Sequence, residues 1–125
     1  MQSMRAFNRT RTTVLCERLE AAGGFSGQSR GLLGRDGLAA GSGMLFVSSL
    51  PLMWMHMFFM RFPIDIIFLD RHGRVLRICH NLRPWRLSPI VWRARKALEL
   101  PAGAAAASAS EIGDFIEINA TEDDS

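Results

Sequence analysis

Charged side chains set among strand-like apolar runs are the residues of this sequence equipped to do chemistry, and Arg61, Asp65, Arg83 and Glu99 lead them. Apolar Met60, Phe62, Ile64, Ile66 and Phe68 recur at every second position, the period of a strand with one buried face. Asp70-Arg71-His72-Gly73 then reads as a turn, in which Asp70 caps through its side chain and Gly73 takes a positive φ without a Cβ penalty. A three-residue loop over Arg71-His72-Gly73 pairs Asp70 with Arg74. It sets Phe68 against Leu76, Ile66 against Ile78, Ile64 against His80 and Phe62 against Leu82 on a core face. The other face carries Arg61 against Arg83, Pro63 against Asn81, Asp65 against Cys79 and Ile67 against Arg77. Like charges directly across a ladder repel, so the Arg61 and Arg83 pair calls for an anion. Asp65 lies roughly 13 Å along the strand from Arg61. Glu99, on the polar side of its own strand, is the better internal partner.

Two readings of this constellation compete. In one, Arg61, Arg83 and Arg77 hold a small anionic ligand, with Asp65 or Glu99 orienting the guanidinium groups. In the other, the same residues form an internal salt-bridge network that orders the sheet, and this is the plainer explanation. Pro63 requires a strand edge or bulge, where no ladder donor is needed, and an open edge beside two arginines makes a binding mouth. His56, in an otherwise apolar run, reads as a hydrogen-bonded core residue, with general acid as its catalytic alternative. Cys79 and His80 are adjacent on one strand and point to opposite faces, so they cannot act on each other. A carboxylate opposite Cys79 would disfavour its thiolate. Nucleophile elbow, phosphate-cradling glycine loop and zinc spacing are all missing from the sequence.

The elements that must position these residues fit one domain. The chain has 125 residues, is 48% hydrophobic and 22% charged, and can bury a modest core without staples. Residues 1–11 read as a flexible basic tail, 12–118 as the domain and 119–125 as an acidic tail. The net charge of +3 lacks the concentrated basic stripe of a nucleic-acid partner. All basic residues but Lys96 are arginine, which suits carboxylate or phosphate recognition but is more simply a codon bias. Cys16 and Cys79 are too far apart for a metal motif, and no cofactor signature is present. They read as free thiols of a reducing, cytoplasmic compartment, in keeping with an N-terminus that has no secretory h-region. Gly37 to Met60 carries no fixed charge, but Ser48, Ser49, Pro51 and His56 interrupt it. Period two then takes over, so membrane insertion is not expected.

Thr12 to Glu20 reads as a first strand, Ser26 to Leu33 as a short helix capped by Gly34, and Met44 to Val47 as a strand. Trp54 to Phe59 leads into the hairpin, whose return strand is Arg74 to Leu82. Pro84 to Pro89 breaks regular structure. Lys96 to Leu100 is a strand with Leu98 and Leu100 on one face and Glu99 on the other. Pro101 starts an Ala-rich helix through Ser110, and Phe115 to Ile118 is the last strand. The sum is an α+β fold dominated by β structure, a small barrel-like antiparallel or mixed sheet with two short helices.

Arg30-Gly31-Leu32, Phe59 to Asp65, Phe68-Leu69-Asp70, Gly73-Arg74-Val75, Leu98 to Gly103 and Gly113-Asp114 occur in an order that resembles the family called domain of unknown function 192. The resemblance covers about residues 12–118 and implies a compact β-rich domain with no established reaction, cofactor or substrate. Ala104 departs from it, since the family usually shows a hydroxyl residue there. Arg30 is the one other charged residue in a shared motif, placed either on the polar face or over the carbonyls near Gly34. Three function classes follow. The leading one is a non-catalytic binding or accessory module with a basic pocket around Arg61 and Arg83. The second is an enzyme on a small anionic substrate, with Asp65 or Glu99 as base and His56 as acid. The third is a protein interaction module presenting Trp54, Trp85 and Trp92 together. Neither the partner nor the oligomeric state is written in the sequence.

Overall fold

Alternating apolar residues make strands throughout, and in the computed structural model, which describes residues 4–22 and 36–120, nine strands and one four-residue helix are arranged around two apolar clusters. The strands are β1 (Met4–Asn8), β2 (Thr13–Ala21), β3 (Ser42–Val47), β4 (Leu52–Met53), β5 (Ile64–Leu69), β6 (Val75–Leu82), β7 (Val91–Trp92), β8 (Lys96–Pro101) and β9 (Ile116–Ala120). Helix α1 (Ala104–Ala107) lies between β8 and β9. Seven strands form one curled sheet in the order β6-β5-β8-β3-β2-β1-β9, antiparallel except for the parallel β2–β3 pair. The outer strands meet at the hairpin end, where Ile116 N–H donates to Gly73 O and Val75 N–H to Asp114 O, both at 2.8 Å. The result is the expected β-dominated α+β fold, a half-barrel. No helix among the described residues is long and apolar enough to cross a membrane.

The interior of the half-barrel is filled by Leu15, Leu19, Ile67, Leu69, Leu98 and Leu100, among others. A second cluster, with Met53, Met57, Met60, Ile64, Ile66 and Phe68, lies on the other side of β5 and β8. Hence all six residues of β5 are buried, and Ile67 is as inaccessible as Ile64. The one-faced strand expected from period two is corrected. The segments 48–63 and 83–95 fold back over the second face and bury it.

The hairpin loop closes as expected: Asp70 N–H donates to Arg74 O at 3.0 Å, and Asp70 Oδ1 accepts the N–H groups of His72 and Arg74. Beyond it the register departs. Leu69 pairs with Val75, but one bulge moves Phe68 onto Arg77 and Ile66 onto Cys79, and a second brings Ile64 onto Leu82. The ladder ends there, so Arg61 and Arg83 are not a cross-strand pair. His80, expected inward, is exposed.

The N-terminal residues expected as a tail instead contain β1, paired with both β2 and β9. Asn8 and Arg11 then tie this end to the C-terminal region. Asp114 Oδ2 accepts from Asn8 Nδ2 and Arg11 Nε, each at 3.0 Å, and from Glu111 N–H at 2.9 Å. Burial opposes the Asp114 charge, but these donors together hold its carboxyl below the usual range. Residues 119 and 120 likewise belong to β9 rather than to a tail. Pro101 ends β8 instead of opening a helix, and α1 is shorter than the Ala-rich run. The helix expected over Ser26 to Leu33, and Arg30 with it, lie outside the described residues.

Gly73 has φ +90°, and a Cβ there would meet Ile116 O at 2.5 Å. Gly103 has φ +98° with nothing within 4 Å. Both Gly→Ala changes strain the backbone by about 1 kcal/mol, and only the first also pries apart the β6–β9 junction. Gly73→Ala is expected to lower the urea midpoint at least twice as far as Gly103→Ala. Equal shifts would show that the junction adds nothing to stability.

Candidate functional site

Asp65 is fully buried on β5. The bulge in β6 gives two residues, His80 and Asn81, to the space opposite it, and Asn81 adopts a left-handed φ of 52°. The freed Asn81 N–H donates to Asp65 Oδ1 at 2.8 Å. Oδ2 accepts from Gly103 N–H at 3.0 Å and Ala105 N–H at 2.9 Å, at the start of α1. Gly103 is the N-cap of α1 and has no side chain to offer, so β5 supplies the cap from across the sheet. With both oxygens engaged by backbone donors, Asp65 ties β5 to the bulge of β6 and to the start of α1. Its place opposite Leu100 puts it on the interior side of the sheet.

Glu99 pairs with Ile66 and with Met44, and so faces the other way, over the second cluster. The two carboxylates offered above as partners of the arginines lie on opposite faces of the sheet. Glu99 is 6% exposed, and among the described residues its side chain makes no hydrogen bond. Burial pushes its carboxyl up to about 7. Cys79 shares this side through Ile66, and burial raises its thiol, partly countered by Arg77. None of three open depressions lined by described residues includes Glu99.

Arg61 is exposed before β5 and contacts Asp36 at 3.2 Å, an exposed pair worth little. Arg83 is exposed just after β6. His56 is half-buried, accepts the Phe58 N–H on Nδ1 at 3.3 Å and stacks on Phe58 with ring centroids 4.9 Å apart. The expectation of a core histidine is thereby modified, because His56 belongs to a surface row of rings. Trp54, His56, Phe58, Trp85 and Phe59 follow one another at centroid separations of 6.3, 4.9, 6.0 and 4.7 Å.

This row sits on a lobe that periodicity alone did not reveal. Leu52 and Met53 pair with Trp92 and Val91, and His56 bridges to Leu87. Met57 N–H donates to Arg86 O at 2.8 Å, Trp85 N–H to Met57 O at 2.6 Å, and Met55 N–H to Ser88 Oγ at 2.8 Å. The underside, with Met53, Met57, Met60 and Val91, is buried against β5 and β8. The exposed apolar residues of the lobe are Leu50, Trp54, Phe58 and Phe59 from one segment, and Trp85, Leu87, Ile90 and Trp92 from the other. Phe59 and Trp85 are 66% and 58% exposed, and both hold left-handed backbone, with φ 64° and 67°. All three tryptophans of the chain are thus exposed on one lobe. The sequence signal was available in the dense Trp, Phe and Met content of 53–62.

Residues 6–118 match the sequence profile of domain of unknown function 192, described as uncharacterized ACR. A UPF0127 protein of Thermococcus sibiricus is 32% identical over 117 residues, covering 93% of this chain and 75% of the relative. The chain belongs to this family. The UPF0127 protein PH1112 of Pyrococcus horikoshii is 42% identical over 62 residues, half of this chain and 53% of that protein. This match therefore spans about half the relative's length. Among solved structures, a "putative transcription regulator" of Sinorhizobium meliloti 1021 superposes with TM-score 0.77 at 27% identity, covering 93% of this chain and 92% of that one. A protein of unknown function from Novosphingobium aromaticivorans gives 0.76 at 26% identity, covering 92% and 83%. In this member of domain of unknown function 192, two separate motifs, Ile64-Asp65 and Pro101-Ala102-Gly103, converge in a single carboxylate cradle. The cradle uses backbone donors, so the departure at Ala104 leaves it intact.

Asp65→Ala would strand three backbone N–H groups and is expected to cost about 3 kcal/mol or more in urea unfolding. An unchanged midpoint would mean that water replaces the carboxylate. For Glu99 the folded pKa lies above the unfolded one, so its contribution is fully present below about 4.3 and is lost as pH rises towards 7. Glu99→Gln should therefore match the parent near pH 4 and exceed it by about 3 kcal/mol at pH 8. A gap independent of pH would contradict a raised carboxyl.

Proposed function

We propose that this chain is a non-catalytic binding module of the cytoplasm whose contact surface is the aromatic lobe. The observation that carries this reading is the pair Phe59 and Trp85, large apolar residues exposed on left-handed backbone, their rings 4.7 Å apart and Trp85 N–H bonded across the lobe to Met57 O. Strained conformations of bulky residues persist where the surroundings over-determine them, and an exposed apolar patch of this kind is characteristic of a contact surface. Composition supports it too: the lobe is rich in Trp, Phe, Met and Arg and has no Asp or Glu over 48–63 and 83–95. The enzyme reading has less support. Asp65 is occupied by backbone donors, and burial keeps the Cys79 thiol protonated. Free Cys16 and Cys79 suit a reducing compartment. The name of the Sinorhizobium protein raises nucleic-acid binding, but α1 is the only helix among the described residues and is too short to read a groove.

The test is affinity capture from the native host. Parent, Phe59→Asn/Trp85→Asn and Ile112→Asn are compared, the last altering an exposed apolar residue outside the lobe. Asn tolerates left-handed backbone, so the lobe variant should melt with the parent. Protein or lipid retained by the parent and by Ile112→Asn is expected to be lost from the lobe variant. Equal retention by all three would end the reading.

A further inference from the structure

The lobe combines three properties that together select one kind of partner. The first is exposure. Trp54, Trp85 and Trp92 are all exposed on it, and the depression that Trp54 lines, formed by residues between Phe46 and Met55, is a shallow one of ≈ 300 Å³. Protein hot spots seat an anchor in a desolvated pocket, whereas a bilayer needs only apolar groups that protrude. Tryptophan suits the boundary between headgroups and acyl chains, because its ring is apolar and its N–H finds a polar partner.

The second property is charge. Eight basic residues and no acidic one lie between Arg71 and Leu98. On the lobe, Arg95 is turned inward to Ser48 O, but Arg83, Arg86 and Arg93 are exposed and make no ion pair among the described residues. Arg83 and Arg86 lie within two residues of Trp85, so positive and apolar residues are interleaved in this segment. The third is backbone satisfaction. The N–H groups of Met55, Met57, Trp85 and Ser88 are all bonded across the lobe, which lowers the cost of bringing this irregular segment into a poorly hydrated region.

We infer that the aromatic lobe docks on an anionic lipid surface, with the tryptophans and Phe59 entering the interface and Arg83, Arg86 and Arg93 contacting headgroup phosphates. This rests on the lobe being the contact surface of the chain. It is attachment to a leaflet, separate from spanning it.

The three tryptophans make the protein its own probe. The full chain is mixed with phosphatidylcholine vesicles, with and without phosphatidylglycerol, and both Trp emission and co-sedimentation are followed. Emission is expected to shift to the blue and protein to pellet with the anionic vesicles, far more weakly with the neutral ones, and less at high salt. Arg83→Gln and Arg86→Gln should each weaken partition about fivefold. Phe59→Asn/Trp85→Asn should abolish binding at an unchanged melting temperature. Failure to bind either vesicle, equal binding to both at all salt concentrations, or unimpaired binding by the lobe variant would overturn the inference. If vesicles fail while a protein is still captured in a lobe-dependent way, the lipid assignment falls and the binding-module reading stands.

Discussion

The Asp65 carboxylate is the interaction on which the rest of the architecture depends. A fully buried charge is tolerable only when hydrogen bonds replace its hydration, and here three backbone donors do so. Those donors come from two places that local forces alone would not hold together: a bulge in β6, and the N-cap and first turn of α1. A helix of four residues has no stability of its own. It persists because Asp65 caps it and Ala105 is packed into the interior. In return, α1 covers the side of β5 that carries the charge.

A second constraint follows from where β5 and β8 lie. Central strands with apolar groups on both faces need cover on both, and the half-barrel supplies only one. The lobe supplies the other. Its methionines turn inward while its aromatic rings, anchored to the same short segments, are left facing outward. Covering the sheet and presenting a surface are thus performed by one element, and the hydrogen bonds that lace it together fix both.

Charge is partitioned in the same spirit. Asp65, Asp70 and Asp114 spend their carboxylates on backbone and internal donors. Arg71, Arg77, Arg83 and Arg86 remain on the surface. A small formal net charge of +3 therefore understates the positive potential that the hairpin and lobe present to a partner.

The sequence by itself determined the local elements: the Asp70–Gly73 turn, the alternation that makes β5, β6 and β8 strands, the opposite-facing Glu99, and the motif order that marks the family. These are encoded within a few residues by turn chemistry and period. Only the tertiary structure decided what those elements do to one another. The two bulges cancelled the Arg61–Arg83 pairing, because register is a property of two strands and a single inserted residue moves every partner. Asp65 could not be read as a cap, since its helix begins 39 residues later in the chain, at Ala104. β1 was hidden because Met4–Asn8 is too short to show a period and is ordered by its pairing with β2 and β9. The lobe, too, carries no helix or strand repeat. It exists because long-range hydrogen bonds bring two irregular segments together over a face that must be covered.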